Sequence, residues 1–249
     1  MEHIFYHIFE QLPRVGPGNY DSTKKAFNIL RQAKPLPENP KILDIGCGTG
    51  LHTVHLAKLS NGRITALDRH QEFQESLKQH AKIQGVEDKI TCVQGDMGAM
   101  DFEHHSFDII WAEGSIFILG LENGLTLWKK YLKPGGMMAL SDLFWFKPGV
   151  PDEPKEFFEQ IQAKMMDLEE AKRVIEACGY HLTGHFQLPE CAWWDDFYRP
   201  LEKVLMDCHG KYEDNPDAMV IINTLDKEID MFRRYSDYYG YIFFILENK

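Results

Sequence analysis

The chain is poor in basic residues. Against 38 Asp and Glu stand 27 Lys and Arg, a formal charge of −11 with His neutral. A protein that grips a phosphate backbone carries a basic stripe, and none is visible, so the balance argues against nucleic acid and suits a neutral or cationic ligand. Cysteine is scarce too. Cys47, Cys92, Cys178, Cys191 and Cys208 are odd in number and include no C-x-x-C. They read as reduced thiols in a cytoplasmic protein, not as a disulfide framework. No apolar run approaches membrane-spanning length. The apolar N-terminus is broken by Glu2, His3, His7 and Glu10 and lacks a basic n-region or small-residue cleavage site, unlike a signal peptide. Neither G-x-S-x-G nor H-E-x-x-H occurs, which removes two common hydrolase signatures. His52 and His55 lie three apart on a predicted helix and His104-His105 in a loop, but no three or four ligands converge by spacing. No metal is expected.

The chain does contain a strand, a glycine turn and a helix. Lys41 to Gly50 reads KILDIGCGTG, with Gly46, Gly48 and Gly50 alternating after an apolar run, and Leu51 to Leu59 has helical character. Glycine lets backbone approach a ligand closely, and the following helix N-terminus presents free N–H groups. A dinucleotide G-x-G-x-x-G would need glycine at Leu51, so that class is disfavoured.

Strand and helix then alternate. Short apolar runs at Arg63–Leu67, Lys89–Gln94, Phe107–Trp111, Met137–Leu140, Tyr180–Leu188 and Tyr239–Leu246 join the first as seven strands. Such runs suit a parallel sheet buried on both faces, hence an α/β, doubly wound, mostly parallel architecture. Helices are expected over Ile4–Leu12, from Asp21 or Ser22 to Gln32, over Gln71–Gln84 and Leu121–Leu132, and after a capping box at Asp167–Glu170. Lys147–Pro154 reads as a loop. Residues 1–40 form a helical extension that either packs on the sheet or closes over the ligand as a lid. The main domain is 41–249, with a helical insertion at about 189–237.

Ligands in open α/β sheets bind at the carboxyl ends of the strands. Those ends carry Gly46–Gly50, Asp68-Arg69, Asp96-Met97 and Glu113-Gly114-Ser115. If the ligand is a ribonucleoside, Asp68 can accept from both ribose hydroxyls and Asp96 from the adenine amino group, with Met97 on the ring face. The alternatives are a helix cap for Asp68 and a turn cap for Asp96.

DIGCGTG, Asp68 after a short strand, GDM, FDIIWAEGS and YLKPGG, in that order, resemble the class I S-adenosylmethionine (SAM)-dependent methyltransferases over about Lys41 to Leu188. The resemblance implies a Rossmann-like methyltransferase fold with an antiparallel last strand, and SAM as cofactor. It implies that Gly46, Cys47, Gly48 and Gly50 lie against the methionyl part, with Asp44 supporting that end. Asp68, with Arg69 beside it, would hold the ribose, and Asp96 and Met97 the adenine. Glu113 is the candidate catalytic residue near the methyl group; its alternative is a wall or cap. Trp193, Trp194 and Tyr198 in PECAWWDDFYRP either anchor the insertion or line the acceptor pocket, with Phe144, Trp145 and Phe146 as rivals. A small-molecule methyltransferase is the first reading. An RNA or protein methyltransferase and a non-catalytic SAM-binding regulator remain as alternatives.

Overall fold

The computed structural model describes residues 2–249. In chain order the elements are α1 (Glu2–Phe9), α2 (Tyr20–Ala33), β1 (Lys41–Ile45), α3 (Leu51–Leu59), β2 (Arg63–Asp68), α4 (Gln71–Ile83), β3 (Ile90–Gln94), β4 (Phe107–Glu113) and α5 (Leu121–Lys129). Then come β5 (Leu132–Trp145), α6 (Asp152–Gln160), a two-residue β6 (Met166–Asp167), α7 (Leu168–Ala177) and β7 (Tyr180–Gln187). The insertion runs through α8 (Cys191–Trp193), a π-helical turn at Trp194–Tyr198, α9 (Arg199–Lys211) and α10 (Pro216–Tyr235) before β8 (Tyr239–Asn248).

The sheet order is β3-β2-β1-β4-β5-β8-β7, with β6 beside the end of β5. β8 runs antiparallel to both β5 and β7, and the other pairs are parallel. This is the Rossmann-like methyltransferase fold. One sheet face packs Ile42, Ala66, Trp111 and Ile245 with residues of α2, α3 and the insertion. The other packs Leu43, Ile110, Leu140 and Phe244 with α5 and α7. Each fully buried Ile, Leu or Phe among them contributes about 1.5–3 kcal/mol. From β1 the chain steps outward to β2 and β3, then returns to β4 on the other side of β1. The switch point therefore lies between β1 and β4 and opens a crevice at their carboxyl ends. No helix among the described residues is long and apolar enough to cross a membrane.

Three local expectations are corrected. α1 stops at Phe9 instead of reaching Leu12, because the chain turns toward Pro13. The second helix is capped by Asn19, whose side chain accepts from Ser22 N at 2.9 Å, so it begins before Asp21. The Lys147–Pro154 loop is cut short by α6, which opens after Pro151 and takes Pro154 into its first turn, where a missing N–H costs nothing. The capping box of α7 is present: Glu170 N donates to Asp167 Oδ1 at 2.8 Å and Asp167 N to Glu170 Oε2 at 2.9 Å.

Candidate functional site

β1 delivers the glycine turn to the switch point. Gly46 and Gly48 have φ of 74° and 52°, backbone that side-chain-bearing residues rarely adopt. A Cβ on Gly46 would press on Ser115, whose hydroxyl donates to Ile45 O at 2.6 Å. The turns after β1 and β4 are thus fitted back to back. Gly46 N and Cys47 N both donate to Leu67 O, at 2.8 and 3.0 Å, so the turn is also tied to β2.

Asp68 ends β2 half-buried. Its Oδ2 accepts from Gly48 N at 2.8 Å and its Oδ1 from His70 N at 3.0 Å. Burial pushes its carboxyl above the ordinary range, against the pull of those two N–H groups. Arg69 is exposed, and its carbonyl accepts from Gln94 Nε2 at 3.1 Å. Asp96 is exposed and accepts from Gly98 N at 2.7 Å, the turn-capping alternative in its simplest form. Met97 closes the arrangement: its Cε stands 3.4 Å from where a Cβ of Gly46 would be, and its carbonyl accepts from Trp128 Nε1 at 3.0 Å. Gly46 therefore lies beside Met97 and Gly48 beside Asp68 at the carboxyl ends of β1 and β2.

Asp44 is fully buried and faces α3. Thr53 Oγ1 donates to it at 2.6 Å and His52 Nε2 lies 3.3 Å away. It fastens the glycine turn to the helix that follows. Cys47 is also fully buried, and its thiol is pushed well up by burial and then by the charges of Asp44 and Asp68.

Glu113 ends β4 and is enclosed. Oε1 accepts from Thr23 Oγ1 at 2.8 Å and Trp111 Nε1 at 2.9 Å, and Oε2 from Arg14 Nη2 at 2.8 Å. Burial alone would raise its pKa; the charges of Arg14 and His52, with the Trp111 and Thr23 donors, outweigh burial and hold the carboxyl below its ordinary value. Its partner Arg14 belongs to the segment between α1 and α2, and sequence reasoning did not single it out. That segment lies across the glycine turn. Thr49 Oγ1 donates to Pro13 O at 2.8 Å, and a Cβ on Gly48 would overlap Val15. Gly18 N donates to Ala192 O at 2.8 Å, joining the segment to the insertion. The signal for this was a lone Arg two residues before Gly16-Pro17-Gly18 in an otherwise acidic and apolar stretch.

α1 is held by a further link. His70 Nε2 bonds Glu10 Oε1 at 2.6 Å and lies 3.3 Å from Glu72 Oε2, while Tyr6 stacks on the imidazole at 3.9 Å. The two carboxylates and the imidazole converge closely enough to ligate a cation, a grouping that sequence spacing did not show.

Trp193 and Tyr198 are buried. Trp193 stacks on Phe232 at 4.2 Å and meets Tyr241 edge-on at 5.0 Å, and Tyr198 Oη donates to Glu228 Oε1 at 3.0 Å. Trp194 is half-buried with the Arg233 guanidinium 5.2 Å from its ring. Phe144 is buried, whereas Trp145 and Phe146 line a cavity of about 790 Å³ beyond the end of β5, together with Lys147, Phe158 and Met165.

A family model described as a methyltransferase domain matches residues 42–136. The sterol 24-C-methyltransferase of Debaryomyces hansenii is 27% identical over 190 residues, which cover 72% of this chain and 50% of that protein. The chain thus spans about half the length of the sterol methyltransferases it matches. An uncharacterized methyltransferase of Bacillus subtilis, YodH, is 26% identical over 219 residues, covering 87% of this chain and 88% of that protein. The fold is similar to a SAM-dependent methyltransferase of Geobacter sulfurreducens solved with S-adenosylhomocysteine: TM-score 0.83, 20% identity, covering 100% of this chain and 99% of that one. Residues 42–136 thus match a methyltransferase domain placed at the switch point, and with the glycine turn and strand-end acids set as described the chain is similar to class I SAM-dependent methyltransferases.

Proposed function

We propose that the chain transfers the methyl group of SAM to a small-molecule acceptor. The observation that carries this reading is the meeting of the left-handed Gly46–Gly48 turn with Asp68 and Met97 at the β1/β4 switch point. These residues suit a ribonucleoside with a short tail. The turn keeps side chains away from the tail. Asp68 would exchange its bonds to Gly48 and His70 for ribose hydroxyls, while Asp96 and Met97 would take the adenine. Asp44 would act indirectly, by holding the turn to α3 through Thr53 and His52. Bound there, SAM supplies a methyl group already activated on a sulfonium, open to in-line displacement by the acceptor. The protein's task is alignment and exclusion of water. Both oxygens of Glu113 are engaged, so its role in this reading is to anchor the N-terminal segment over the turn.

The acceptor class follows from two supports. Relatives named sterol 24-C-methyltransferases make an extended apolar acceptor the leading choice. The aromatic cavity with Trp145, Phe146 and Phe158 suits such a molecule. The net charge of −11 favours it over RNA.

Calorimetry tests the donor: S-adenosylhomocysteine should bind far more tightly than NAD, and the reverse order ends the reading. Labelled SAM incubated with the protein and a lipid-rich metabolite extract tests the acceptor. Label should enter small apolar products, and label in protein or RNA would overturn the acceptor assignment.

A further inference from the structure

Past Asp68, side chains from three places in the chain bring their ligand atoms to one point. Glu10 follows α1, His70 lies between β2 and α4, and Glu72 stands in the first turn of α4. His70 Nε2 lies 2.6 Å from Glu10 Oε1 and 3.3 Å from Glu72 Oε2, and the three ligand atoms fall within 4.8 Å of one another. The imidazole is held in place. Tyr6 stacks on it at 3.9 Å with 8° between the planes, Phe73 meets it edge-on at 4.6 Å, and His70 N is tied to Asp68 Oδ1 at 3.0 Å. A simple pair of imidazole and carboxylate has another form: His209 Nε2 meets the single carboxylate of Asp226 at 2.6 Å. A neutral imidazole nitrogen offers one N–H or one lone pair, which serves one partner. At His70 two carboxylates converge on that one nitrogen, in a chain of net charge −11.

A divalent cation answers both negative charges and uses the imidazole lone pair. Ligand atoms bound at about 2.0–2.2 Å to a tetrahedral zinc ion stand about 3.3 Å apart. The separation of His70 and Glu72 already has that length, and Glu10 Oε1 has only to retreat by about 0.7 Å. The Glu72 side chain is 62% exposed, so the point is open to solvent for entry of the ion and for water in the fourth position. We infer that Glu10, His70 and Glu72 form a zinc site that latches the end of α1 to the start of α4. The imidazole among the ligands selects zinc over calcium and magnesium, which take oxygen ligands. A latch at Glu10 also fixes the chain that runs on to Pro13 and Val15, the residues docked on the glycine turn through Thr49 and Gly48.

The test is calorimetry with zinc chloride on the whole chain at neutral pH. The wild-type protein should take up zinc at a single tight site, and calcium chloride should bind at least about 100-fold more weakly. His70→Ala should weaken zinc binding by more than about 100-fold, beyond the scale set by residues that only support a ligand. Glu10→Gln, which keeps the shape of the side chain, should weaken it by about tenfold or more. His209→Ala should leave it unchanged. Zinc should raise the melting temperature of the wild-type protein and not that of His70→Ala, and the same melts confirm that the variants are folded. X-ray absorption of the zinc-loaded protein should show nitrogen and oxygen neighbours at about 2.0–2.2 Å and no sulfur. No zinc uptake by the wild-type chain overturns the inference. So does an unchanged zinc affinity in a folded His70→Ala, calcium binding as tight as zinc, or sulfur among the neighbours of the ion. Should His70→Ala not fold, an unchanged zinc affinity in Glu10→Gln overturns it.

Discussion

Val15 occupies the point where a side chain on Gly48 would begin: a Cβ built there overlaps Val15 Cγ2. The N-terminal segment and the glycine turn are therefore shaped to each other. Gly48→Ala adds that overlap to a left-handed backbone at φ 52° and should destabilise the protein by about 1–3 kcal/mol. Val15→Ala should recover part of the loss in the double variant. Strictly additive effects in denaturant titrations would show that the two residues do not touch in solution.

Arg14 and Glu113 form an ion pair whose side chains are 3% and 1% exposed. Breaking such a pair leaves a charge buried without compensation. Glu113→Gln should cost about 3–5 kcal/mol of unfolding free energy. A loss below about 1 kcal/mol, the scale of a solvated pair, would mean that the segment is open in solution.

Asp68 holds the turn now and would hold ribose when ligand binds. In a folded Asp68→Ala variant, the affinity for S-adenosylhomocysteine should drop by about 1.5–3 kcal/mol, the scale of hydrogen bonds to a charged acceptor. An unchanged dissociation constant would take Asp68 out of the ribose site.

Asp142 lies near the end of β5, and burial, opposed only by the Leu143 N–H, raises its pKa from 3.8 to about 7. The unfolded chain loses this proton first as pH rises. Stability from this group is therefore full below about pH 4, falls between about 4 and 7, and stays low above. Asp142→Asn should raise the melting temperature at pH 8 and leave it nearly unchanged at pH 4. The gain at pH 8 has an upper limit of about 4 kcal/mol. Equal shifts at both pH values would assign the effect to packing.

Cys191 is exposed and Cys47 fully buried, with a thiol pushed well up. A disulfide reagent at pH 8 should modify Cys191 rapidly and Cys47 only on unfolding, as read by peptide mass mapping. Prompt labelling of Cys47 would show that the glycine turn opens in the native state.

The sheet and the glycine turn were legible because they rest on local patterns. Apolar runs mark β1 to β4, and alternating glycines mark the turn. The docked N-terminal segment was not legible in the same way. The Arg14–Glu113 pair joins residues 99 apart and leaves no periodicity behind. α6 was hidden because Pro151 and Pro154 read as loop residues, although both are tolerated at a helix start. The aromatics of the insertion were visible as a cluster, but their neighbours were not. Phe232 and Tyr241, which pack against Trp193, come from α10 and β8, far along the chain.

β8 follows β7 in sequence but lies between β7 and β5 in the sheet. During synthesis, β7 is made after the first five strands have their neighbours, and it must then wait for everything from Leu188 to Tyr238. Until β8 emerges, the edge of β5 beyond β4 and both edges of β7 carry unpaired N–H and C=O groups. Adding one strand then completes two ladders at once. Assembly of this half of the sheet is thus a single late event, with open edges that invite association between nascent chains before it occurs.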